Sequence, residues 1–279
     1  MSYLNTLSLA PNVNEWLANS RHPRILHVFD HACNLINERR EVLSVVPPGI
    51  GNGPFNLVIE EDVFFSRNLR IESTISISPN QLILSDLTIN TAGAKSWNPR
   101  PDWERLHARR DEILNQLMLL SVPNYQASIP KSLVSNLSSA LADEDVTAAK
   151  TITSKLAGLG VGLTPAGDDY ILSELLAAWI IHPPEVAQIF AREIANIAAP
   201  LTTSLSAAWL KSAGRGEAGI LWHDFFDALI STDCRPTKGA MDRILAVGET
   251  SGLDSMSGFI DTFMCWQEMK SSQPHCLTC

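Results

Sequence analysis

Two adjacent aspartates, Asp168 and Asp169, close the run GLGVGLTPAGDD, which begins at Gly158. Paired carboxylates can orient an amide, accept a proton or hold a cation. Gly158, Gly160 and Gly162 alternate with apolar residues and strip side-chain bulk from the backbone N–H groups around them. Thr164-Pro165 reads as a helix start, with the threonine as cap and the proline at a position that has no N–H to waste. Asp168 and Asp169 then fall at the start of that helix, where its dipole favours carboxylates. Gly167 sits in the same first turn, at a cost of roughly 1 kcal/mol against alanine, which signals a close approach there. A helix N-terminus behind a glycine loop is an anion site. Two aspartates, however, repel a bound anion unless a cation or a Lys/Arg intervenes. The chemistry left open is the binding of a donor-bearing group such as an amide, or of a magnesium-bridged anion. The same residues also fit a plain helix–loop–helix joint that needs no ligand.

Known phosphate loops do not fit. A Walker A loop needs Lys-Ser/Thr after its last glycine, and Leu163-Thr164 follows Gly162. The dinucleotide fingerprint needs a strand before it, and here a helical pattern precedes. Three other joints share the glycine-rich design. In ETSGLDSMSG, Glu249 to Gly258, Ser251 can cap a helix and Asp254 lies in its first turn. In TTSLSAAWLKSAGRGE, Thr202 to Glu217, four hydroxyls open a helix and Arg215 stands between two glycines. Its guanidinium can clamp a carboxylate or phosphate, or simply be solvated at a helix end. In GIGNGPFN, Gly49 to Asn56, Asn52 belongs to a turn between strands that reads as a hairpin, or as a further edge of a binding cleft. No nucleophile stands out: there is no G-x-S-x-G and no H-E-x-x-H, and the seven histidines are scattered singly.

The elements that must position these residues change character along the chain. RILHVFDHACNLI, EVLSVVPP, FNLVIEE, STISISP and QLILSDLTIN are short β-branched segments broken by Pro/Gly/Asn turns. They predict a curled or barrel-like sheet over residues ~20–95. In STISIS, Ile75 and Ile77 face one way and Ser76 and Ser78 the other. After NPRPDW, residues recur at helical spacing, first at Trp103, Leu106, Arg110 (by its aliphatic stem), Ile113, Leu117 and Leu120, then at Val146, Ala149, Ile152 and Leu156. Further helices follow at about 165–181, 184–198, 200–212, 217–231, 236–247 and 251–270. The helix behind Asp168 and Asp169 is apolar nearly all round and belongs in a core. The fold class is therefore α+β, with a β-rich module over 1–98 and a mainly helical domain over 99–279. No fixed-period repeat is visible.

Composition excludes several classes. With a net charge of −9 and no Lys/Arg run, the chain lacks the footprint for nucleic acid or anionic lipid. The segment MSYLNTLSLAPNVNEWL does not read as a signal peptide, and the most apolar helical run, ILSELLAAWII, is too short to span a bilayer. A soluble, cytoplasmic protein acting on a small anionic substrate is expected. Five scattered cysteines argue for reduced thiols. The tail HCLTC sets His275 beside Cys276 and Cys279, two thiols and one imidazole where a structural zinc wants four ligands. No cofactor is assigned from the sequence, and magnesium is a candidate cation for the two aspartates.

The run GLGVGLTPAGDD resembles the G-x-G-x-G-L-T-P-[SA]-G-D-D signature of the AllH-type family of oxamate carbamoyltransferase subunits. GNGPFN, TSLSAAWL…AGRGE and GETSGLDSMSG resemble the same family, so that the likeness runs from ~25 to ~265. The resemblance implies two further subunits, one FdrA-like. The complex would exchange carbamoyl phosphate plus oxamate with oxalurate plus phosphate in purine or allantoin catabolism. The S-T-R-T phosphate loop of ordinary transcarbamoylases is absent. Under that reading, loop N–H groups at Gly160 to Gly162 and the Arg215 guanidinium supply donors, and Asp168 or Asp169 orients an amide or takes its proton. The alternatives from other classes are a non-catalytic scaffold subunit and a magnesium-assisted enzyme using the two aspartates as ligands.

Overall fold

The computed structural model describes residues 2–120, 129–231 and 235–272. Its internal contacts divide the chain into two units, Met1–Pro99 and Arg100–Cys279. The Cys276/Cys279 pair lies outside the described residues.

The first unit runs β1 (Ser2–Leu9), α1 (Pro11–Asn19), β2 (Arg24–Val28), β3 (Cys33–Ile36), β4 (Val42–Val46), β5 (Asn56–Ile59), α2 (Phe65–Asn68), β6 (Ile75–Ser78), β7 (Gln81–Leu84), β8 (Leu87–Asn90) and β9 (Lys95–Ser96). The sheet order is β2-β3-β4-β5-β1-β8-β7-β6, with β9 paired to β1, and the sheet curls into a nearly closed, barrel-like form. Ile25, Leu35, Leu43, Leu57, Ile59, Leu82 and Ile89 fill its interior. The alternation in STISIS is present: Ile75 and Ile77 pair with Leu84 and Leu82 and are less exposed than Ser76 and Ser78.

Two sequence expectations need correction in this unit. The sheet does not begin near residue 20, because its central strand is β1, wedged between β5 and β8. Leu4 and Thr6 face inward there while Tyr3, Asn5 and Leu7 face outward, a period of two that the polar residues of SYLNTLSL disguise. The Gly49–Asn56 turn is not a hairpin, since β4 and β5 are parallel. The chain must therefore return to the starting end of the sheet. It does so in a compact loop, with Gly51 at φ 79° and its carbonyl accepting from Asn56 Nδ2 at 2.9 Å.

The second unit is helical: α3 (Trp103–Ala108), α4 (Arg110–Met118), α5 (Lys131–Ala142), α6 (Val146–Leu156), α7 (Ala166–Ile181), α8 (Pro184–Ala198), a 3-10 turn (Ala199–Leu201), α9 (Ser204–Gly214), α10 (Ile220–Leu229), α11 (Arg235–Leu245) and α12 (Ser251–Ser272). Among the described residues no strand follows β9, and no helix is long and apolar enough to cross a membrane. The single helix expected over 103–120 is broken at Arg109 into α3 and α4. Helix α5, which the serine-rich KSLVSNLSSALA conceals, buries Val134, Leu137 and Leu141 at helical spacing.

Helix α7 is the axis of this unit. All its residues except Leu172 are buried, as its all-round apolar sequence requires. Its chief partner is α12. Thr164 meets Ser251 just ahead of α7, while Tyr170 and Ser173 meet Gly258 further along, so the two helices run in the same direction and begin at the same end. A Cβ on Gly258 would come within 2.6 Å of Ser173 Oγ, and the missing side chain lets the helices close.

Candidate functional site: the glycine joint at the start of α7

Between α6 and α7 the chain turns at Gly158, with φ 74°, where a Cβ would stand 2.4 Å from the Leu201 carbonyl oxygen. Gly167, one turn into the approach, is tighter still: its Cβ would lie 2.1 Å from the Leu156 carbonyl oxygen. The backbone of α7 thus rests directly on the end of α6, and that is the close approach which the glycine in a helical turn signals. Gly162 is different. Its φ is 94° and a Cβ there would meet nothing within 4 Å. The neighbouring Val161 is 93% exposed. The rear of the loop is packed and its tip, residues 159–162, is open.

Thr164 does not cap α7. Pro165 takes the cap position, at φ −55° and ψ 143°, and its carbonyl accepts from Asp168 N at 2.9 Å and Asp169 N at 3.2 Å. The Gly167 N–H donates to the Leu159 carbonyl at 2.8 Å. The N–H groups of Gly167, Asp168 and Asp169, which an anion site at this helix start would draw on, are therefore already used inside the joint. Thr164 Oγ1 instead lies 3.0 Å from Ser251 Oγ at the start of α12.

The two aspartates have separate tasks. Asp168 is 1% exposed. Its Oδ1 accepts the Gly158 N–H at 2.8 Å, and its Oδ2 accepts from Ser206 Oγ at 2.7 Å and from Thr202 Oγ1. It ties the loop, α7 and the start of α9 together. Thr203 adds a second tie: its hydroxyl donates to the Leu163 carbonyl at 2.6 Å and accepts from Ser206 N at 3.1 Å. Asp169 is buried too, but its Oδ2 has no hydrogen-bond partner among the described residues. Burial pushes its carboxyl up to about 8 against the pull of a hydrogen bond from Ser251, and the charges of Asp254 and Asp168 push the same way. Asp254 is 0% exposed, in the first turn of α12 as its sequence suggests.

The structure thus brings together Gly158, Gly160, Gly162, Thr164, Gly167, Asp168, Asp169, Ser251 and Asp254. It does not bring in Arg215. That residue follows the last turn of α9, and the helix between it and Ser204 is about 16 Å long at 1.5 Å per residue. Its guanidinium is held by Glu217, with Nη2 2.7 Å from Oε2 and Nε 3.0 Å from Oε1. Asn52 belongs to the other unit, where its Oδ1 accepts from Ser8 Oγ at 2.6 Å. The sequence presents Thr202, Thr203 and Ser206 only as helix-openers; the hydroxyl-rich TTSLS is the signal of their ties to the loop. Asp168 is not available as a metal ligand. Both Asp168 oxygens are taken by protein donors, and among the described residues no three His, Cys, Asp or Glu side chains are grouped to hold an ion.

A further buried acid lies deeper along α7. Glu174 is fully buried and accepts from Ser138 Oγ at 2.6 Å. Burial holds its carboxyl well above the usual range, and Asp261 of α12 adds to the effect. In the sequence this residue is a lone acid within the apolar run ILSELLAAWII.

A barrel-like β module followed by a helical unit, with a glycine joint over buried acids, makes this a two-part α+β protein. Residues 156–263 match the family model for oxamate carbamoyltransferase subunit AllH, and residues 5–96 match that of the AllH family N-terminal domain. Together these cover well over half of the sequence, and the chain belongs to the AllH family. No solved structure matches it.

Proposed function

We propose that this chain is a subunit of an oxamate carbamoyltransferase-like complex in purine or allantoin catabolism, working with an FdrA-like subunit and a further carbamoyltransferase subunit. The reaction is the exchange of carbamoyl phosphate plus oxamate with oxalurate plus phosphate. In the forward direction a C–N bond forms at the oxamate amide nitrogen and the carbamoyl C–O bond to phosphate breaks. One proton passes from that nitrogen to the phosphate. The loop tip at Gly160 to Gly162 supplies N–H donors to the small anionic substrate, and Asp168 holds the tip in place. The observation that carries this reading is the exposed Val161-Gly162 tip fixed by a buried three-donor carboxylate, in a chain of this family.

The test is calorimetry of the chain alone and of the assembled complex, titrated with carbamoyl phosphate and with oxamate. Binding that Gly162→Val abolishes is the expected result. Silence in both preparations overturns the reading. A scaffold role is favoured by a different observation: Gly158, Gly167, Gly214, Gly252 and Gly258 all stand where a Cβ would meet a neighbouring residue at 2.6 Å or less. Such glycines serve helix packing. If scaffolding is the whole role, the chain binds neither substrate but is still required to assemble the complex.

A further inference from the structure

The α11–α12 joint repeats the α6–α7 joint atom for atom at its base. Leu159 N donates to the Leu156 carbonyl at 3.0 Å, and Val247 N donates to the Ile244 carbonyl at 3.0 Å. The Leu159 carbonyl then accepts from Gly167 N at 2.8 Å, and the Val247 carbonyl from Gly252 N at 3.0 Å. A Cβ on Gly167 would sit 2.1 Å from the Leu156 oxygen, and one on Gly252 would sit 2.1 Å from the Ile244 oxygen. Two residues beyond each glycine comes a buried acid, Asp169 in one copy and Asp254 in the other. Because α7 and α12 are parallel and start at the same end, these equivalent acids lie at the same end of the seam, where the Asp254 charge acts on Asp169. The charged groups acting on Asp169 are Asp254 from α12 and Asp168 from its own helix. Asp168 itself is held by Thr202, Ser206 and the Gly158 amide.

Two buried carboxyls whose charges act on each other are more stable carrying one negative charge between them than two. The seam also has an outlet. Ser251 hydrogen-bonds Asp169, and its hydroxyl lies 3.0 Å from that of Thr164, which is half-buried at the foot of the open loop. We propose that Asp169 and Asp254 hold one proton between them and exchange it with the glycine-loop site through the hydroxyls of Ser251 and Thr164. This rests on the proposed carbamoyl exchange for its purpose: the pair takes the proton leaving the amide nitrogen and returns one to the departing phosphate. Thr164 is then the contact with substrate, and Asp169, Asp254 and Ser251 act behind it.

The test follows the protonated carboxyl by infrared spectroscopy of the full chain, as the difference between the native protein and Asp169→Asn. The expected band is present at pH 7, and its titration midpoint falls in Asp254→Asn. On transfer to D₂O its exchange slows at least ten-fold in Thr164→Val and recovers in Thr164→Ser. An unmoved midpoint in Asp254→Asn overturns the shared proton, and unchanged exchange in Thr164→Val overturns the relay. In the assembled complex, Thr164→Val is expected to lower kcat by about 10²-fold with KM unchanged, the low end for lost acid–base catalysis. A native complex without any carbamoyl exchange defeats the proposed function, while the infrared results still decide the relay.

Discussion

Asp168 and Asp169 are consecutive and both buried, yet one carboxylate accepts three hydrogen bonds and the other leaves an oxygen with no partner among the described residues. The helix turns them by about 100° from each other, toward α9 and toward α12 respectively. Substitutions of the two should therefore have opposite effects on stability.

Asp168→Asn replaces a carboxylate that accepts from Gly158, Thr202 and Ser206 with an amide whose N–H₂ faces one or two of those donors. Hydrogen bonds to a charged acceptor are worth more than neutral ones, and a buried mismatch leaves donors unpaired. A loss of about 2–4 kcal/mol is expected in urea denaturation at pH 7.

Asp169→Asn should stabilise the protein at neutral and alkaline pH. The folded state holds the Asp169 proton up to about pH 8, whereas the unfolded chain releases it near the ordinary carboxyl value of 3.8. Between those values the folded state binds more protons, so this group's contribution to stability is present at low pH and is lost as pH rises toward 8. Denaturation midpoints measured from pH 5 to 9 should fall with pH in the native chain and flatten in Asp169→Asn.

Gly167→Ala and Gly252→Ala should be equally damaging. Each new Cβ would press on a helix-end carbonyl at 2.1 Å, and backbone cannot give way as a flexible side chain can. A loss of about 3 kcal/mol is expected at each position. Gly162→Ala has free space and carries only the strain of a positive φ, about 1 kcal/mol. Thermal melts of the three variants would check the ranking.

Val161→Glu changes a side chain that is 93% exposed, and the fold should lose less than about 0.5 kcal/mol. If the tip receives an anionic substrate, the added carboxylate should slow carbamoyl exchange by the complex at least ten-fold. Unchanged exchange with weakened co-elution of the partner subunits would assign the tip to assembly instead.

Much of this was legible in the sequence. Period-two and period-3.6 patterns separate the β module from the helices, and the all-round apolar face of ILSELLAAWII places α7 in the core. What was missed has physical reasons. In β1, Asn5, Thr6 and Ser8 dilute the apolar signal, and the strand is recognisable only by its neighbours on both sides. The glycines of the α6–α7 joint read as a binding loop, but for Gly158 and Gly167 the demand comes from helix ends that lie elsewhere in space. Arg215 was drawn to the site by its flanking glycines, yet Glu217 two residues on claims it. The shared glycine-and-aspartate design of the two joints is legible in the sequence, but the matching of Gly167 with Gly252 is not, because the loops ahead of them differ in length.

The two joints differ in reach. Leu159 and Gly167 are eight residues apart, whereas Val247 and Gly252 make the same contact across five. The shorter version proves that parallel helices of this bundle can be started without the extra length. Three residues of the longer loop are thus surplus to architecture, an appendage that folding did not ask for. Trimming it to the shorter span would leave a sound molecule stripped of whatever that appendage was added to touch.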